Sequence, residues 1–60
     1  MFYVLDRVKF KGGMGTVKAV RLASNGLQVF VQTDLGDILL FQDPDGYEIK
    51  SWHISQLELV

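Results

Sequence analysis

Residues 24–33 read Ser-Asn-Gly-Leu-Gln-Val-Phe-Val-Gln-Thr, a turn signal followed by alternating side chains. Asn-Gly favours a tight hairpin, because a type I′ turn needs positive φ at both of its central residues. After the turn, apolar residues at 27, 29 and 31 share one parity, while Phe30 lies among glutamines on the other. The stretch therefore predicts a hairpin followed by a strand over 27–33 with one face on a core.

The same reasoning extends in both directions along the chain. Turn signals recur at intervals of roughly 8–12 residues, as expected of a small β barrel or sandwich. The predicted strands are 2–10, 16–22, 27–33, 38–42, 47–52 and 57–60, with a single 3-10 turn over 53–56. The glycine-rich segment 11–15 is predicted to be a mobile loop between the first two strands.

The second predicted strand changes parity within its length. Val17 and Ala19 face one way, whereas Val20 and Leu22 face the other. An extra residue near 18–20 would reconcile them, so we expect a β-bulge there. Period-two alternation then predicts a core around Val8, Phe10, Val17, Val29, Val31 and Ile49.

Bulk composition limits the chain to one small domain, residues 1–60. It has 60 residues, no cysteine and one histidine, so neither a disulfide nor a zinc site is expected. No apolar run approaches the roughly 18–20 residues that span a bilayer. The first residues also lack the basic region of a secretion signal. We therefore expect a cytoplasmic domain without a membrane segment.

Several segments resemble the SH3-like small barrels, in particular the KOW type. Asp6-Arg7-Val8 followed by Gly15-Thr16-Val17 is similar to their opening, and residues 52–58, Trp-His-Ile-Ser-Gln-Leu-Glu, are similar to their closing turn and strand. The resemblance implies an all-β fold, a small five- to six-stranded SH3-like barrel with a 3-10 turn before the last strand. Because many functions share this barrel, the resemblance predicts fold rather than activity.

The opening and the Leu57-Glu58 ending also resemble the plasmid-type (type II) dihydrofolate reductases, which are SH3-like tetramers. Their active pore uses a Val-Gln-Ile-Tyr stretch before the closing turn. This chain has Ile49-Lys50-Ser51-Trp52 in that place, without the glutamine and the tyrosine. No catalytic residue is carried over from that family.

Other candidate chemistry is incomplete. The glycines of 12–15 lead into a strand and lack the Lys-Ser/Thr pair of a phosphate-binding loop. The aspartates at 34, 37, 43 and 45 lie at predicted turns, where aspartate is common for local hydrogen bonding. His53 has no cysteine or serine partner at an evident spacing. We therefore expect a noncatalytic protein without cofactor or metal.

The leading hypothesis is a binding module that contacts a protein and self-associates into a homo-oligomer. Predicted strand 38–42 is apolar on both faces, and a contiguous apolar patch marks an interaction surface. The expected protein-interface residues are Phe30, Leu39, Phe41 and Trp52.

The alternative is a KOW-like nucleic-acid-binding module. Residues 1–30 carry five basic and one acidic side chain, whereas residues 31–60 carry one basic and six acidic ones. A basic face with nearby aromatic rings is typical of single-strand binding. The candidate residues are Arg7, Lys9, Lys11, Lys18 and Arg21. A third hypothesis is a small oligomeric enzyme with its site at a symmetry axis.

Overall fold

A computed structural model of the chain describes residues 2–24, 26–44 and 52–60. Within those residues the strands are β1 (Arg7–Phe10), β2 (Gly13–Ala23), β3 (Gly26–Thr33), β4 (Ile38–Pro44), β5 (Trp52–His53) and β6 (Glu58–Leu59). A 3-10 turn, Ile54–Gln56, lies between β5 and β6. The predicted all-β class and the 3-10 turn before the last strand are confirmed.

The strands form one sheet in the order β5-β4-β3-β2-β1-β6, curled into a half-barrel. Neighbours are antiparallel except β4 and β5, which are parallel. Pairing of β6 with β1 brings the two ends of the chain together on one side of the sheet. The described part of the chain contains no helix long and apolar enough to cross a bilayer.

The predicted bulge is confirmed in β2. Val17 is opposite Val31, but Ala19 is opposite Phe30, so Lys18 is the extra residue. The bulge switches the parity of β2, and Val20 then packs on the same core as Val17. The extra residue, Lys18, thus allows both halves of this long strand to place apolar side chains on the inner face.

The core follows the predicted alternation. Val8, Val17, Val29 and Val31 are fully buried, and Phe10 packs against them while half-buried. Two further residues complete the buried cluster, namely Phe41 and Leu57. The predicted core residue Ile49 lies outside the described residues, as do residues 45–46 of the turn expected at 43–46 and residues 47–51 of the predicted strand 47–52. Asp43 and Pro44 belong to β4 instead of that turn.

Two further segments differ from the sequence-based prediction. The glycine-rich loop is reduced to a turn at Lys11 and Gly12, because Phe10 already pairs with Gly13. The first strand begins at Arg7 rather than at residue 2, because the preceding residues form a turn in which Asp6 N donates to Tyr3 O at 3.0 Å. Leu5 has a φ of 78° in that turn, a conformation no extended strand contains.

Candidate functional site

A cleft of about 330 Å³ opens at the end of the sheet where the β1–β2 and β3–β4 turns meet. We call it the tryptophan cleft. Its apolar lining comprises Phe10, Met14, Leu35, Leu39 and Trp52, and its polar lining includes Thr33, Asp34 and Asp37. Phe10 and Leu39 pack on the core, whereas Leu35 is 93% exposed. Phe10 and Leu39 therefore form a base that is continuous with the core, and Leu35 forms a solvent-exposed side of the cleft.

A row of three aromatic rings lies beneath and beside this cleft. The Phe41 ring centroid is 5.6 Å from that of Phe10 and 6.2 Å from that of Trp52. Such separations are typical of favourable tilted aromatic pairs. Phe41 is fully buried, whereas Trp52 is 39% exposed. The buried ring therefore supports two rings that line the cleft.

The predicted interface set is only partly brought together. Leu39 and Trp52 line the tryptophan cleft. Phe41 is a core residue with no exposed surface, so its placement on a contact surface is wrong. The reason is that β4 lies between β3 and β5, and the side of Phe41 facing Val29 is the inside of the curled sheet.

Phe30 lies on the other face of the sheet from Leu39. In antiparallel pairs, residues opposite each other point to the same face, and successive residues alternate. Phe30 is paired with Leu40, while Val31 is paired with Leu39. Phe30 is half-buried on the outer face, so Phe30 and Leu39 do not form one patch.

Arg7 connects the β3–β4 turn, which borders the cleft, to strands β1 and β2. Its guanidinium donates to both carboxylate oxygens of Asp34, at 2.8 and 2.9 Å, and to Thr16 Oγ1 at 2.9 Å. The Met14 carbonyl also accepts a hydrogen bond from Asp34 N at 3.0 Å. The Arg7 hydrogen bonds lower the pKa of the Asp34 carboxyl below its usual value. This contact joins β1, β2 and the β3–β4 turn.

The β3–β4 turn is itself well ordered by backbone bonds. Thr33 N donates to Asp37 O at 2.7 Å, and Asp37 N donates to Thr33 Oγ1 at 3.1 Å. Gly36, with a φ of 101°, donates to Thr33 O at 2.9 Å. The backbone of Asp37 is therefore held at the cleft by the hydrogen bonds that close the turn.

A second cleft, of about 430 Å³, lies on the opposite side of Phe10. We call it the lysine cleft, and it is lined by Lys9, Phe10, Lys11, Ser55, Gln56 and Glu58. Glu58 is opposite Lys9 in the β1–β6 pair, so an acidic side chain accompanies the two lysines. The side chain of Phe10 borders both clefts.

The structure distributes the five predicted basic residues over several places. Arg7 is engaged by Asp34, and Lys9 and Lys11 line the lysine cleft. Lys18 and Arg21 lie in the part of β2 that does not pair with β1, since that pairing ends at Thr16. Folding thus neutralises one member of the set and separates two others from the lysine cleft.

His53 has a serine partner that its sequence spacing did not reveal. Its Nδ1 accepts from Ser55 N at 3.1 Å and is 2.8 Å from Ser55 Oγ, while Nε2 is 3.5 Å from Asp43 Oδ1. A nucleophilic serine needs that nitrogen as its base. Here the Ser55 amide already occupies Nδ1, so the contact is a cap on the 3-10 turn.

Residues able to hold a metal ion are not clustered within the described ranges 2–24, 26–44 and 52–60. The chain matches no protein-family model, no curated protein and no solved structure. The expectations of self-association, and of an enzyme site shared at a symmetry axis, stay predictions.

Proposed function

We propose that the chain is a noncatalytic SH3-like binding module that holds a segment of another protein in the tryptophan cleft. The observation that carries this proposal is the partly exposed Trp52 beside an apolar base that is continuous with the core. Ligand sites are concave and mostly apolar, with a few polar groups that orient the ligand. Tryptophan is also among the residues that contribute most to protein interfaces.

The rigidity of the cleft supports the same function. Arg7 and the Met14–Asp34 hydrogen bond join the β3–β4 turn to β1 and β2, and Phe41 supports the aromatic rings. A site that is already ordered before binding loses less conformational entropy when its ligand arrives. A domain of this size can therefore bind a short segment without a large interface.

We expect peptides selected from a displayed random library on the intact chain to depend on Trp52. Trp52→Ala should reduce their affinity by about tenfold or more, because an aromatic anchor that becomes buried in the complex carries much of the binding free energy. Trp52 is the single tryptophan, so its fluorescence reports binding in the native chain. Affinities of the variants can be measured by titration calorimetry.

Two exposed leucines provide a matched control that does not disturb folding. Leu35 is 93% exposed and lines the cleft, whereas Leu22 is 84% exposed in β2 and does not line it. Leu35→Ser should lower the affinity for the selected peptides, and Leu22→Ser should leave that affinity unchanged. Peptides that bind wild type, Trp52→Ala and Leu35→Ser equally, or a selection that recovers none, would contradict the proposal.

Nucleic-acid binding is a second candidate, favoured by the lysine cleft. Lys9, Lys11 and the Phe10 ring line one cavity, which combines phosphate-binding charge with a ring on which a base can stack. If two lysines neutralise two phosphates, log affinity for single-stranded RNA should fall with log salt at a slope of about −1.4. This slope can be measured by filter binding.

Substitutions of single lysines separate specific from unspecific contact. Lys9→Gln should reduce the steepness of that slope by about 0.7, and Lys18→Gln, which lies outside the cleft, should not change it. Absence of RNA binding even at ~50 mM salt would remove this candidate.

A further inference from the structure

We infer that the segment held in the tryptophan cleft presents an apolar side chain next to a lysine or arginine. This inference rests on the proposed protein-binding function and adds the chemistry of the partner. It starts from the way apolar and acidic groups are divided around the cleft.

The apolar part of the cleft suits a side chain rather than a folded surface. The whole cleft has a volume of about 330 Å³, which is at the lower end of the range for ligand pockets. Phe10, Leu39 and Trp52 surround this space, and each offers apolar surface. An aliphatic or aromatic side chain that enters it exchanges water for these contacts.

The charge of the cleft determines which residue of the partner is favoured next to that apolar side chain. Among the described residues, its lining includes Asp34 and Asp37 but no lysine or arginine. Arg7 occupies both carboxylate oxygens of Asp34. The Asp37 carboxylate makes no ion pair within the described residues, while its backbone is held by Thr33. Of the two aspartates described at the cleft, Asp37 is therefore the one without an ion-pair partner, on a backbone that the turn holds in place.

A cation beside an apolar side chain complements this arrangement in two ways. Its charge is attracted to the Asp37 carboxylate, and a cation placed over the Trp52 ring gains a cation–π interaction. An acidic segment would instead be repelled by Asp37, with Lys9 and Lys11 on the far side of Phe10. The cleft thus favours basic over acidic peptides.

The test compares peptide selection on the intact wild-type chain and on Asp37→Asn, which has nearly the same shape without the charge. We expect the wild type to recover peptides with lysine or arginine beside an apolar residue. A synthetic peptide of that consensus should bind Asp37→Asn about two- to fivefold more weakly, the effect of an exposed ion pair. Its binding should also become less sensitive to salt.

Glu58→Gln removes one negative charge outside the cleft and serves as the control, for which no loss is expected. If the recovered peptides depend on Trp52 but lack basic residues, or bind Asp37→Asn as tightly as wild type, the inference on charge is overturned while the binding function stands. If no recovered peptide depends on Trp52, both fail.

Discussion

Replacing Phe41 by alanine is expected to abolish cooperative folding of this domain. Phe41 is the largest fully buried side chain in the described part of the chain, and it contacts both Phe10 and Trp52. Truncation of a buried phenylalanine to alanine costs about 3–5 kcal/mol. A 60-residue domain has about 3–9 kcal/mol of stability at typical values per residue. The variant should therefore show little or no unfolding transition in thermal circular dichroism.

Phe30→Ala is the matched control for this experiment. Phe30 is in the adjacent strand β3 but on the outer face, where it is half-buried. The same substitution should cost less, because less apolar surface is returned to water. If Phe41→Ala unfolded within a few degrees of wild type, the central role of Phe41 in the core would be wrong.

Gly15→Ala is the second substitution with a large expected effect. A Cβ at Gly15 would lie 2.5 Å from Gln32 O and 2.7 Å from Val31 Cγ1. The oxygen belongs to the backbone of β3, and Gly15 is paired with both Val8 and Thr33, so neither strand can move freely. Overpacking of this kind typically costs about 1–3 kcal/mol and sometimes more. We expect a loss near the upper end in urea unfolding.

Gly12→Ala adds the same methyl group three residues earlier. Its nearest contact would be Phe10 Cε2 at 3.3 Å, an atom at the end of a side chain that can move. The expected loss is therefore below about 1 kcal/mol. Equal midpoints for Gly12→Ala and Gly15→Ala would contradict the close approach of β2 and β3.

Both substitutions bear on the candidate site as well as on stability. Phe41 supports the rings of Phe10 and Trp52, and Gly15 follows Met14 in the strand that borders the cleft. A small core and the cleft thus share residues. In a domain this small, most residues beneath a surface cleft also belong to the core.

The strands and the inward valines could be predicted because they depend on local geometry. Side chains alternate along any strand, so Val8, Val17, Val29 and Val31 were identified from spacing alone. The bulge at Lys18 followed from the same rule, since only an extra residue reconciles the two parities of β2. The 3-10 turn was recognisable from a segment too short for a free-standing helix.

The candidate site could be predicted only in part. The sequence predicts Leu39, Trp52 and Phe30 as one contact surface; Leu39 and Trp52 do line the same cleft, but Phe30 lies on the other face of the sheet. The Arg7–Asp34 ion pair joins residues far apart in the chain, and the Ser55 contact to His53 depends on the local shape of the 3-10 turn. Spacing in the chain contains none of these distances.

Alternation along a strand is local, and so the amino-acid order was sufficient to specify an all-β chain, its bulge and most of its inner face. The choice of which apolar residue is covered depends on how the sheet curls and which strands become neighbours. Folding therefore placed Phe41 inside and left Trp52 partly in solvent. Folding also pairs the charge of Arg7 with Asp34 and leaves Asp37 at the cleft, because these residues meet only when the β3–β4 turn packs against β1 and β2.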